Sequence, residues 1–113
     1  MKNKNLLDKR QCRGESLTQL VKALCFDYES RKKHIIDGDI SRRVRMEYEY
    51  INALMVDGAG EVVGWSLAEK FIDDIGKCRG YAKSEVDGYS ERAYKIYKSE
   101  VMDNIARKLH LLD

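Results

Sequence analysis

The chain has 113 residues, a formal net charge of +2, 43% hydrophobic residues and 35% charged residues. This length corresponds to one domain, and the composition excludes a globally disordered protein. No apolar run reaches the ~18 residues of a membrane span and no signal-peptide core follows the first lysines, so we expect a cytoplasmic protein. Proline is absent, which removes the strongest helix breaker and favours an all-α fold.

The charge is distributed unevenly along the chain. Residues 1–45 contain 12 Lys/Arg and 6 Asp/Glu, residues 46–91 contain 4 and 10, and residues 92–113 contain 5 and 3. An acidic middle between two basic ends indicates internal salt bridges, self-association or a basic surface for a polyanion.

The N-terminal residues are polar and basic, so we expect a flexible arm over 1–15 and a single helical domain over 16–113. Ser16 and Gln19 have the spacing of a capping box, and apolar residues recur at helical spacing after them. We expect this first helix to end near Gly38, because glycine adopts a positive φ at low cost.

A second helix is predicted to begin at a cap on Ser41, and its apolar residues follow the rhythm of packed antiparallel helices. Arg42, Arg43 and Arg45 lie in its first turn, where acidic residues are preferred. Basic residues at a helix start indicate that a phosphate or an acidic neighbour binds them. We expect the helix to fray over the glycine-containing segment 57–60.

A third helix is predicted to begin at the capping-box pattern of Ser66, with 61–65 left open, and to close at Gly76 or Gly80. The final helix begins near Ser90. Four helices result, and we predict a small all-α domain whose C-terminal half is similar to a helix-turn-helix. Its core is predicted to contain Leu20, Leu24, Val44, Tyr48, Ile51, Met55, Phe71, Ile72, Ile75, Val101, Ile105 and Leu109.

No motif of an enzyme is present, whether a phosphate-binding loop, a zinc-protease helix or a hydrolase elbow. Asp73 and Asp74 point ~100° apart on a helix, so we interpret them as a solvated acidic face, and we place His34 and His110 near helix ends. We therefore expect no catalysis, no cofactor and no metal. The three cysteines have no C-x-x-C spacing and are typical of free thiols in a reducing compartment: Cys12, Cys25 and Cys78.

Residues 66–112 predict an amphipathic helix, a turn and a helix with basic first turns, which is the order of a helix-turn-helix. The second helix of such a unit enters the major groove, and its Lys/Arg side chains neutralise phosphates. Arginine can bind guanine and glutamate can accept from cytosine. The polar side chains available in these first turns are Ser90, Glu91, Arg92, Lys95 and Lys98.

Three stretches of this region carry a resemblance to a known family: Gly-Tyr-Ala-Lys-Ser at 80–84, Tyr-Ser-Glu-Arg-Ala-Tyr at 89–94, and Ile-Ala-Arg-Lys-Leu-His-Leu-Leu at 105–112. They look like the C-terminal part of ArpU/RinA-like transcriptional regulators of Gram-positive prophages, a unit that resembles sigma-factor region 4. The resemblance implies duplex DNA as the partner. By position, it implies DNA-facing roles for Ser90, Arg92, Tyr94, Lys95 and Lys98.

The interval between Gly76 and Ser90 departs from the family, because it is longer than the three- or four-residue turn of a compact helix-turn-helix. Two alternatives stay open. One is a small phage-encoded inhibitor of a host protein, similar to an anti-CRISPR, with its acidic segment 47–74 facing a basic groove. The other is a bundle that forms a homodimer through aromatic stripes. A secondary basic surface is predicted from Arg31, Lys32, Lys33, Arg42, Arg43 and Arg45.

Overall fold

A computed structural model describes residues 14–112, and every regular element in that range is a helix. The elements are α1 (Glu15–Phe26), α2 (Tyr28–Asp37), α3 (Arg42–Val63), α4 (Trp65–Gly76), the one-turn α5 (Tyr81–Ser84) and α6 (Glu91–Lys108). The predicted all-α fold is confirmed. Of the predicted arm, residues 1–13 lie outside the described residues, and Glu15 already belongs to α1.

The first predicted helix is in fact two helices that meet at Asp27. The bend lets α2 turn onto α3 while α1 packs on α4, which one straight helix could not do. It also brings Tyr28 and Arg31 into the interior. The predicted end at Gly38 is confirmed, and this glycine has a φ of 69°.

Two of the predicted helix caps are present and two are wrong. The hydroxyls of Ser41 and Ser90 accept hydrogen bonds from the backbone N–H groups three residues later, at 3.2 and 3.1 Å. The capping boxes predicted at Ser16 and Ser66 do not form, because α1 and α4 begin one residue before these serines, after N-cap glycines at 14 and 64.

α3 continues through the predicted break at 57–60, and both glycines of that segment are buried. A Cβ atom on Gly58 would lie 2.9 Å from the Cα atom of Ile105 in α6, and a Cβ atom on Gly60 would overlap the Trp65 ring. The glycines therefore mark the closest approach of α3 to its neighbours and not the end of a helix.

α3 is the central helix, against which α2, α4 and α6 all pack. Six predicted core residues are fully buried: Met55, Phe71, Ile72, Ile75, Val101 and Ile105. Leu20 is exposed, so its place in the core was wrongly predicted; Val21 and Cys25 are the buried residues of α1. The remaining predicted members are only partly buried: Leu24, Val44, Tyr48, Ile51 and Leu109.

The C-terminal half is not a compact helix-turn-helix. α4 and α6 are separated by residues 77–90, which include α5, and α6 packs mainly on α3. At the other end, α2 and the first half of α3 extend past the core, and no residue between 32 and 51 is buried. We call residues 32–51 the hairpin tip. No described helix has the length and apolar character needed to cross a membrane.

Candidate nucleic-acid interface

A buried carboxylate holds the start of α6 against α4. Asp74 is completely buried, and its Oδ2 atom accepts hydrogen bonds from the hydroxyls of Ser84 at 2.5 Å and Tyr94 at 2.9 Å. Its Oδ1 atom accepts from Nζ of Lys70 at 3.2 Å and from Nη1 of Arg79 at 3.1 Å. Donors from α4, α5, α6 and the turn after α4 therefore converge on one side chain.

The interpretation of Asp73 and Asp74 as one solvated acidic face is wrong for Asp74. Adjacent helical positions differ by ~100°, which turns Asp74 inward, while Asp73 stays near the surface and pairs with Lys77 at 2.8 Å and with Arg79. Burial alone would raise the pKa of Asp74, but the hydrogen bonds outweigh it and hold the pKa below its usual range. The buried group is an ionised carboxylate at neutral pH.

Tyr94 is 1% exposed, so the DNA-facing role implied for it by the resemblance is wrong. Its ring lies between those of Phe71 and Tyr81, with centroid distances of 5.4 and 5.7 Å, and its hydroxyl donates to Asp74. Burial raises the pKa of Tyr94 to about 12. Ser90 is exposed at the cap of α6, where its hydroxyl accepts from the N–H of Ala93.

The three predicted cations of α6 do not share one environment. Each step of three residues shifts the side chain by ~60° around a helix, so the row crosses from solvent toward the interface with α1. Arg92 is exposed, and Lys95 is exposed and pairs with Glu91 at 3.1 Å. Lys98 is partly buried and donates to the carbonyl oxygen of Arg79 at 2.5 Å.

Lys22 of α1 joins this row across a shallow groove between α1 and α6. The groove is lined by Lys22, Lys95 and Lys98 together with the hydroxyl-bearing residues Thr18 and Ser99. Burial lowers the pKa of Lys98; the nearby Asp74 and Cys78 oppose this shift, and the like charge of Lys22 makes the smallest contribution in the lowering direction. We call Lys22, Lys95 and Lys98, with Arg92 one turn before Lys95, the basic groove. The sequence patterns did not single out Lys22, because it lies more than seventy positions before Lys95.

The predicted secondary basic surface is largely neutralised. Lys32 pairs with Glu69 at 2.8 Å, and Lys33 pairs with Asp37 at 3.1 Å. Arg43 and Arg45 pair with the glutamates one turn later, at 3.5 and 3.3 Å. Of this set, only Arg42 is exposed and has no ion pair to a described residue.

The assignment of Arg31 to that surface is wrong, because Arg31 is buried. Its Nε atom donates to Oδ1 of Asn52 at 2.6 Å, and its Nη2 atom donates to the carbonyl oxygen of Leu24 at 2.7 Å. Burial lowers the pKa of this guanidinium. Arg31 thus ties α2 to α3 and to the end of α1.

Residues 14–112 contain no group of three or more His, Cys, Asp or Glu side chains arranged to hold a metal ion. Cys25 and Cys78 are free thiols, and burial raises the pKa of Cys25 to about 12. Cys12 lies outside the described residues.

Comparisons with protein-family models, with characterised proteins and with solved structures gave no match for this chain. The resemblance to ArpU/RinA-like regulators therefore stays a prediction that depends on its three short stretches. In the second stretch, Ser90 and Arg92 are exposed, whereas Tyr94 belongs to the core.

Proposed function

We propose that this protein binds duplex DNA through the basic groove and acts as a transcriptional regulator of phage type. The observation that carries the proposal is the convergence of lysines from two helices on one groove. Several other cations of the described residues are paired with carboxylates, among them Lys32, Lys33, Lys77 and Lys108. A cluster of like charges is stabilised when an anion such as a phosphate binds between them.

The four residues of the basic groove have different roles in the proposed DNA binding. Lys22 and Lys95 are placed to neutralise phosphates, and Lys95 can exchange its exposed contact with Glu91 for a phosphate, because such surface pairs contribute ~1 kcal/mol or less. Lys98 is held by the carbonyl oxygen of Arg79, so it adds positive potential from a fixed position. Arg92, exposed in the first turn of α6, is the side chain that can reach a base edge.

The acidic side chains of 47–74 support this proposal over the host-protein inhibitor. Such an inhibitor would present these carboxylates to its partner. Instead, Glu69 bonds to Lys32 and to the hydroxyl of Tyr28, while Glu61 bonds to Lys108 and Asn104. These contacts join α2 to α4 and α3 to α6, so Glu61 and Glu69 are used within the fold.

The test measures binding of a fluorescent mixed-sequence duplex by anisotropy over a series of salt concentrations. The logarithm of affinity should fall with the logarithm of salt with a slope of about −0.9 per neutralised phosphate. Lys22→Ala and Lys95→Ala should each flatten that slope by about one. Lys33→Ala is the matched control, because it removes the same charge from an exposed lysine that lies outside the groove.

Two results would contradict the proposal. If Lys33→Ala reduced the slope as much as Lys95→Ala, binding would follow the overall charge and not the groove. If the unaltered chain failed to bind duplex DNA at about 50 mM salt, the DNA function would be lost and the inhibitor would become the better candidate.

A further inference from the structure

The outer face of α3 carries a second row of residues that the core does not use. Met46 and Tyr50 are 60% and 61% exposed, and Ala53 is exposed one turn later. Arg43 and Asp57 continue the row at its two ends. The intervals between these five residues are three, four, three and four, which is the spacing of a coiled-coil seam. We call these five residues the outer stripe.

The two ends of the outer stripe carry opposite charges. The Arg43 side chain is almost fully exposed and contacts Glu47 only at 3.5 Å, with Arg42 beside it. Asp57, at the other end, makes no ion pair to a described residue. If two copies of α3 lie antiparallel, each Arg43 end meets an Asp57 end, and the same contact forms twice.

The side chains between the ends suit a second copy equally well. Met46 and Tyr50 offer apolar area next to the dyad, and the small side chain of Ala53 leaves room for the aliphatic part of an arginine. Glu47 and Glu49 flank the stripe; Arg45 pairs with Glu49 at 3.3 Å, and the exposed contact of Arg43 with Glu47 at 3.5 Å is a weak surface pair that a carboxylate of the second copy can replace. The stripe is therefore self-complementary about a two-fold axis, which is the usual symmetry of protein dimers.

We propose that this chain forms a two-fold symmetric homodimer by antiparallel pairing of the outer stripes of α3. Arg43, Met46 and Tyr50 lie in the hairpin tip and are exposed, whereas Ala53 and the partly buried Asp57 border a groove that α2 also lines. The outer stripe spans ~21 Å at 1.5 Å per residue, which places the contact among small interfaces, and we expect a dissociation constant in the roughly micromolar range. The proposal does not depend on the DNA function, because its residues are separate from the basic groove.

The first test is sedimentation equilibrium of the full chain up to about 1 mM. A monomer–dimer equilibrium is expected, and Tyr50→Lys should raise the dissociation constant at least ~30-fold, since an anchor residue in the centre of the contact is lost. Ile96→Lys is the matched control, because Ile96 is 46% exposed on α6, away from the stripe, and should leave the constant unchanged. Circular dichroism checks that both variants keep their helices.

The second test exchanges the charges at the ends. Arg43→Asp and Asp57→Arg should each weaken self-association ~5-fold or more, because like charges then face each other twice. An equimolar mixture of the two variants should recover the affinity of the unaltered chain, because opposite charges again meet at both ends. A chain that stays monomeric, a dimer unaffected by Tyr50→Lys, or a mixture that does not recover would each overturn the proposal.

Discussion

The C-terminal half and the hairpin tip use similar residues in opposite ways. In the C-terminal half, Phe71 packs against Tyr89 and Tyr94 with centroid distances of 5.8 and 5.4 Å, and a buried carboxylate is fully bonded. In the hairpin tip, Tyr50 and Met46 are mostly exposed, and charged residues form short-range pairs at the surface. Aromatic and charged side chains thus stabilise the fold in one region and remain available for an intermolecular contact in the other.

The difference follows from the number of neighbouring helices. Around Asp74, four segments meet, so donors can reach the carboxylate from several sides. No buried side-chain nitrogen or oxygen in the described residues lacks a hydrogen-bond partner, as expected where desolvation must be compensated. At the hairpin tip only two helices pack together, which leaves the outer side of each in solvent.

The largest effect is expected for Asp74→Asn. The substitution keeps the shape of the side chain but removes the buried charge that Lys70 and Arg79 neutralise. We expect a loss of about 3 kcal/mol in the free energy of unfolding, at the low end for a buried pair because both cations are partly exposed. Asp73→Asn is the control and should cost about 1 kcal/mol or less. Urea denaturation that gave equal losses would remove the distinction between the two positions.

The same variant has a second readout in acid. The pKa of Asp74 is lowered in the folded protein, so its contribution to stability is present above the ordinary value of 3.8 and is lost as the pH falls through the lower folded value. Between about pH 5 and pH 2, the stability of Asp74→Asn should therefore fall less steeply than that of the unaltered chain. Parallel curves would contradict this assignment.

A smaller effect is expected for Tyr94→Phe, which removes one hydroxyl donor from Asp74. The expected cost is about 1–2 kcal/mol, because a buried charged acceptor loses a partner. Tyr97→Phe, three positions later and 39% exposed, should change stability by less than about 0.5 kcal/mol. Tyr94→Phe should also leave the salt dependence of DNA binding unchanged, and a flattened slope would restore the DNA-facing role to this residue.

The smallest effect is expected at the hairpin tip. Ile36 is 74% exposed and lies outside the outer stripe, so Ile36→Ser should change the free energy of unfolding by about 0.5 kcal/mol or less. Chemical denaturation at a low protein concentration measures this in the monomer. A loss above about 1 kcal/mol would show that the tip contributes to folding as the C-terminal half does.

Local sequence patterns were sufficient for the helical class and for the caps at Ser41 and Ser90, but the capping-box spacing failed at Ser16 and Ser66, where the helices begin one residue earlier. Local patterns were also insufficient for Arg31 and Asp74. The partners of these residues, Asn52 and Tyr94, lie 21 and 20 positions away, and a charged residue looks like a surface residue until its partners are known.

In the candidate site too, residues close together in the sequence could be predicted, and those that meet only through packing could not. Arg92 and Lys95 could be identified from spacing within α6, because both lie in its first two turns. Lys22 could not be identified, since it joins them only when α1 packs on α6. The partial burial of Lys98 at that interface also depends on packing. The three-residue spacing alone does not show which side of α6 is covered by α1.

The glycines of α3 have a consequence for the order in which the chain folds. Glycine is about 1 kcal/mol less favourable than alanine inside a helix, so the last turns of α3, which contain Gly58 and Gly60, gain little from local preference. What stabilises them is the backbone of Ile105 against Gly58 and the ring of Trp65 against Gly60. We therefore expect the last third of α3 to become helical only as α6 docks, so that a contact between residues far apart in the sequence, Gly58 and Ile105, also completes the central helix.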